Sequence, residues 1–184
     1  MEVAPWLLFT VGVLGATDIA LYHSASHGIR SHPDSRAELI VHSLRGPTYG
    51  ALFLVVPNFA LHGAFFWALV GLLVFDVAIS IVDFAIERES REFFGGLPSG
   101  EYVLHVLIAM VFGGFVAAIF FEVGAWAFES TAIFWQPAEV PAALRALLAI
   151  MAAVVLYSGL QDLIAAIRLS GQPRRADDMP RPIE

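Results

Sequence analysis

The chain has 184 residues, of which 58% are apolar and 15% charged, with a net charge of −7. Together with a mean hydropathy of +0.74, this excludes an ordinary soluble domain and places the chain in a bilayer. No basic footprint for nucleic acid is present, and the absence of cysteine excludes disulfide, thiol and iron–sulfur chemistry.

A hydrocarbon core of about 30 Å needs about 20 helical residues, and lipid admits no open strand. The apolar runs therefore predict an all-α integral membrane protein, a bundle of five transmembrane helices. The opening Met-Glu-Val-Ala-Pro lacks the positive region of a cleaved leader, so the first apolar segment is expected to be retained. Helix one is predicted over 5–27, with Pro5 in its first turn, Trp6 at the interface and Gly28 as its stop. Helix two is predicted over 36–56, kinked at Gly46-Pro47. Helix three, over 59–90, is longer than the bilayer core. Ser99 is read as the N-cap of helix four, over 100–128. Helix five is predicted over 141–169. Residues 1–170 form one transmembrane domain, and 171–184 are read as a mobile cytoplasmic tail. Gly12, Gly15, Gly113 and Gly114 are read as points of close helix approach.

Arginine fixes the expected orientation. Arg30, Arg36, Arg88, Arg91, Arg168, Arg174, Arg175 and Arg181 follow helices one, three and five, whereas the opposite side has Arg145. The positive-inside rule puts the N-terminus outside and the C-terminus in the cytoplasm. A multi-pass protein of a bacterial inner membrane is expected.

On this topology four helices deliver polar pairs, each four residues apart, to one level of the membrane. The pairs are His23/His27, Glu38/His42, Asp83/Glu87 and Glu101/His105, and a spacing of four keeps each pair on one helix face. Asp18, Tyr22, Arg45 and Asp76 are expected to support them. Each residue has a plainer explanation. Glu38 completes a capping box with Ser35, Glu101 complements the positive end of helix four, and Glu87 has Arg91 within reach. Tyr22 and Tyr49 read as interfacial packing, and His32 as a bystander beside Pro33. His42, His105 and Asp76 resist such readings, because each lies within the apolar part of its helix, where an unpaired polar group is costly. His62 is read as a satisfied histidine at the other end. Glu122 is an unexplained charge, and Asp162 a possible support of the site.

Mixed carboxylate and imidazole ligands suit iron, manganese or zinc, and eight candidates exceed what one tetrahedral zinc uses. Two transition-metal ions are expected, iron first and zinc as the alternative. The element His23-Ser-Ala-Ser-His27 resembles the His-x-x-x-His pairs of membrane histidine-motif di-iron enzymes, the fatty acid hydroxylase and desaturase class. The His-x-x-His-His boxes of that class are absent here, and carboxylates would stand in for them. The resemblance implies oxygen activation at two irons and oxidation of a lipid or other apolar substrate that enters between helices from the bilayer. Electrons would come from a separate donor. Two other classes stay open. One is a zinc-dependent hydrolase of lipid amides or esters, resembling the alkaline ceramidase and adiponectin-receptor group. The other is a metal or proton transporter, or a b-type haem carrier held by His42 and His105.

Overall fold

The computed structural model describes residues 1–26, 29–92 and 96–170, with the side chains of 24–26 and 88–92 outside that description. His27, the tail 171–184 and the Glu87–Arg91 pairing therefore fall outside the described residues. Five α-helices run in the order α1 (Val3–Asp18), α2 (Arg36–Val55), α3 (Ala64–Glu92), α4 (Ser99–Val123) and α5 (Ala142–Leu169). Among the described residues, four helical spans are long and apolar enough to cross a membrane: Val3–His23, Ala64–Glu87, Ser99–Phe128 and Ala142–Leu169. α2 is not among them. Its first half carries Glu38, His42 and Arg45, and that polarity is tolerable only because neighbouring helices cover it.

The outward surface is what lipid contact demands. Phe121 and Phe128 are 90% and 88% exposed, and Met110, Val74 and Ile81 stand out as well, while seven carboxylates lie buried. Such a distribution is stable only where the outer solvent is apolar.

Two predicted helix boundaries need correction. Helix one does not run as a single α-helix to His27: α1 ends at Asp18 and a π-helical segment, Ile19–Ser26, follows it. Helix three does not begin at 59. Phe59–His62 forms a strand, β1, paired antiparallel with β2 (Ala132–Trp135), in the register Phe59 opposite Trp135 and His62 opposite Ala132. Lipid forbids strands whose backbone groups stay open, but these two satisfy each other. Gly63, at φ +56°, then turns the chain from β1 into α3. A Cβ there would lie 2.7 Å from Thr131 Oγ1, so only glycine fits. A smaller correction is that Pro98 rather than Ser99 precedes α4, and it makes no side-chain capping bond.

The four tryptophans, Trp6, Trp67, Trp126 and Trp135, fall at the start of α1, the start of α3, just after α4 and in β2. They mark one end of the bundle as an aromatic belt. Between this end and the polar end lies the apolar core, where Leu8 and Val11 meet Leu52, Phe66, Phe115 and Leu148.

α2 packs chiefly against α5 and α3, and α1 against α4. The α2–α5 crossing depends on a pair of glycines. A Cβ on Gly159 would sit 3.0 Å from Gly46 Cα, and one on Gly46 would sit 3.2 Å from Gly159 Cα. Close approach was expected at Gly12, Gly15, Gly113 and Gly114. Instead Gly15 and Gly113 face open space, and a Cβ on Gly12 would meet the Met151 and Phe53 side chains. α2 runs unbroken through Pro47, so Gly46 serves the crossing. Gly159→Val is expected to push α2 off α5 at a cost of about 2 kcal/mol by overpacking. Thermal unfolding in detergent measures it; an unchanged midpoint would mean that the crossing relaxes freely.

Candidate metal centre

The π-helical turn is what assembles the centre. In an α-helix, residues five apart point to different sides, but the i to i+5 bonding of a π-helix brings them onto one face. Asp18 and His23 are five apart across this junction, and His23 Nε2 lies 3.3 Å from Asp18 Oδ2. The first turn of α4 meets them there. Tyr22 of the π-helix lies so close to Gly100 that any Cβ there would strike its hydroxyl. Glu101, next in sequence, is fully buried, with Oε1 3.6 Å from His23 Nε2.

Two groups of ligand atoms result. Asp18, His23, Glu101 and His105 each offer one atom, all within 4.8 Å of one another, and His23, Glu38 and His42 form a second such group. An ion with bonds of about 2.1 Å holds its ligand atoms at about 3 to 4 Å from each other, so both groups have the dimensions of a metal cradle. His23 belongs to both. Its ring stacks on that of His42, with centroids 4.6 Å apart and planes 8° from parallel.

Eight ligands were expected from the spacing, and the structure gives them different roles. His23, Glu38, His42, Glu101 and His105 join the two groups. Asp18, expected only as a support, is a member of the first. Asp83 and Glu87 stand behind the histidines: Asp83 Oδ1 lies 3.3 Å from His42 Nε2, and Glu87 Oε2 lies 3.3 Å from His105 Nδ1. The other ring nitrogen of His105, Nε2, is 3.3 Å from Asp18 Oδ2. A neutral imidazole donates one hydrogen bond, so with both nitrogens facing carboxylates His105 must be protonated or have a cation on one side. With the cation beside Nε2, Glu87 accepts the Nδ1 proton and fixes the ring, the usual arrangement of a carboxylate behind a metal-bound histidine. Asp83 and Glu87 on α3 thus each meet a histidine ring.

Charge makes the same case. Asp18, Glu38, Asp76, Asp83, Glu87 and Glu101 are all buried, and among the described residues the permanent cation beside them is Arg45, whose Nη1 donates to Asp83 Oδ2 at 3.0 Å and Nη2 to Ser80 Oγ at 2.6 Å. Six carboxylates against one guanidinium leave five negative charges in a low dielectric, which protons or bound cations must neutralise. Two divalent ions would reduce the excess to one. Asp18 Oδ1 and Asp76 Oδ1 are buried and find no hydrogen-bond donor among the described residues. Asp76 does receive the Tyr49 hydroxyl at 3.2 Å on its other oxygen. Tyr49 thus has a polar partner inside the bundle and is more than interfacial packing.

The plainer readings resolve differently. Ser35 makes no side-chain cap to α2, while Glu38 is 1% exposed and faces His23 at 3.9 Å, so the capping box does not form. Asp162 does not support the centre, because Arg30 Nε donates to it at 2.6 Å. His62 is engaged at the far end through one nitrogen, with Nδ1 2.7 Å from Glu129 Oε2 and its ring against Trp126 and Phe134, while its buried Nε2 finds no hydrogen-bond partner among the described residues. Glu122 caps α1 from a neighbouring helix, accepting the backbone N–H groups of Glu2 at 2.5 Å, Val3 at 2.9 Å and Ala4 at 3.0 Å. The sequence signal for Glu122 was a lone carboxylate at one end of α4 and uncapped N–H groups at the same end of α1.

His23 stacks on the His42 ring and shares Asp18 Oδ2 with His105. No protein-family model, curated protein or solved structure matches the chain. Any functional reading therefore rests on the geometry of this centre.

Proposed function

We propose that the chain is a membrane metalloenzyme whose centre holds two transition-metal ions, iron first, and that it is an oxidoreductase of oxygenase or desaturase type acting on a lipid or other apolar substrate. The observation that carries the reading is His23, one imidazole common to two ligand groups drawn from four segments of the bundle. The two groups together offer three carboxylates and three imidazoles, a mixed donor set that suits iron, manganese or zinc and follows the logic of carboxylate-bridged pairs in helical bundles.

Bound iron would supply activation of oxygen. In a hydroxylation, one oxygen atom is inserted into a substrate C–H bond and the other leaves as water, with two electrons and two protons from a separate donor. The chain's own residues have other tasks. Glu87 and Asp83 hold the His105 and His42 rings, Arg45 fixes Asp83, and the covering helices exclude bulk water. In this reading α2 is the fifth helix of the bundle, its polar half sheltered at the centre. The N-terminus faces outward and the centre lies on the cytoplasmic side, in keeping with Arg30, Arg36 and Arg168 at the end opposite the tryptophans.

Protein purified in detergent is expected to carry about two transition-metal ions per chain by elemental analysis, iron exceeding zinc. A dinuclear iron signature by Mössbauer spectroscopy after anaerobic loading would support the pair. Absence of stoichiometric metal after that loading overturns the reading, and zinc alone would transfer it to hydrolysis.

A further inference from the structure

The backbones of α3 and α4 come close at few points, and the two helices meet through side chains such as Phe84 on His105 and Phe66 on Phe120. Where they part, a groove of about 500 Å³ opens, walled by Phe84, Leu97, Val106 and Met110 and ending on Glu87 and His105. Its volume lies within the range of about 300 to 1,000 Å³ usual for small-molecule sites. We propose that this groove holds the acyl chain of an ester-linked membrane lipid, with its polar end against His105 and Glu87. The groove's chemistry rests on the metalloenzyme reading; its occupant is argued from the groove itself.

Three observations select this occupant. First, the walls face lipid: Tyr102, Val106 and Met110 are exposed on α4, and Phe84 on α3, so in a membrane the groove fills from the bilayer. Second, its α4 lining runs from Tyr102 to Met110, about 12 Å along the helix at 1.5 Å per residue, and Met110 is a side chain that adapts to an irregular apolar guest. Third, its charge is wrong for an anion. Among the described residues no arginine lines the groove, and Glu87, beside the buried carboxylates of the centre, does. A free fatty acid would bring its carboxylate towards that excess, whereas an ester-linked chain carries none there. The apolar walls run up to the very His105 whose Nε2 faces Asp18. A chain in the groove would thus lie beside the ligands without any further opening of the bundle.

The test uses the full chain in nanodiscs doped with phosphatidylcholine carrying a mid-chain diazirine, with adducts mapped by mass spectrometry. Adducts are expected on the 102–110 segment and on Phe84, several-fold above those on other lipid-facing positions such as Ile150 and Val154. Ala109→Trp, which fills the groove, is expected to lower that labelling several-fold, and Val106→Phe, a smaller change, to lower it in the same direction. Leu107→Trp, on the adjoining face, is expected to leave it unchanged, and all three variants are expected to keep their metal. Uniform labelling of all lipid-facing helices, or labelling indifferent to Ala109→Trp and Val106→Phe, overturns the proposal. So does labelling confined to a diazirine free fatty acid in a parallel sample. Groove labelling in a protein that binds no metal upholds the occupant and overturns the metalloenzyme reading instead.

Discussion

His23→Ala is expected to lower the metal content further than any other single histidine substitution, because His23 Nε2, which can ligate one ion, is the atom that faces the carboxylates of both groups. The reason is geometric. His105 belongs to the group with Asp18 and Glu101, and His42 to the group with Glu38, while His23 belongs to both. His42→Ala and His105→Ala should each leave one ion bound more weakly, and His62→Ala should leave both, since His62 is engaged with Glu129 at the other end. Elemental analysis of the four variants after identical iron loading measures this. If His23→Ala retains as much metal as His42→Ala, His23 is not shared and the two groups are separate sites.

Arg45→Met is expected to destabilise the protein by about 3 kcal/mol, the lower end of what removing one partner of a buried ion pair costs. The lower end is appropriate because the Arg45 side chain is 26% exposed, against 4% for Asp83. The substitution keeps the volume but removes the guanidinium that holds Asp83 and Ser80. Asp83 would then face His42 with no counterion beyond that ring. Adding Asp83→Asn should recover part of the loss, since the amide carries no charge to strand. Thermal unfolding in detergent gives both numbers. If the double variant is no more stable than Arg45→Met alone, the cost lies in lost packing and not in the stranded carboxylate.

Much of the bundle was legible because long apolar runs admit few structures in lipid. Helix five, expected over 141–169, is Ala142–Leu169, and helix two, expected over 36–56, is Arg36–Val55. The level of the polar residues was legible too, since helix direction and spacing place Glu38, His42, Glu101 and His105 near one end whatever the packing. The role of Asp18 was not. A 3.6-residue period pairs His23 with His27, and only the wider π-helical turn brings Asp18 round to His23. That turn is set by how α1 meets the start of α4, where Tyr22 lies on Gly100, a contact between residues 78 positions apart. The β1–β2 pair escaped for a similar reason. Each strand is four residues long, too short for a period, and its partner is distant in sequence. Asp83 and Glu87 lie at the expected level, each 3.3 Å from a histidine nitrogen, but which ring nitrogen each meets is not determined by spacing along one helix.

The carboxylate of Glu122 sets an order of assembly. It completes the first turn of α1 from 118 to 120 residues downstream. While the chain is being made, those N–H groups have only water or headgroups to answer them until α4 has followed. The first helix inserted is therefore among the last to be seated. The same docking of α1 on α4 brings Asp18 and His23 to Glu101 and His105 at the other end. A nascent chain stalled before α4 would hold α2 and α3 and lack half of the first ligand group, so a metal held there, as proposed, would be captured only once α4 is in place.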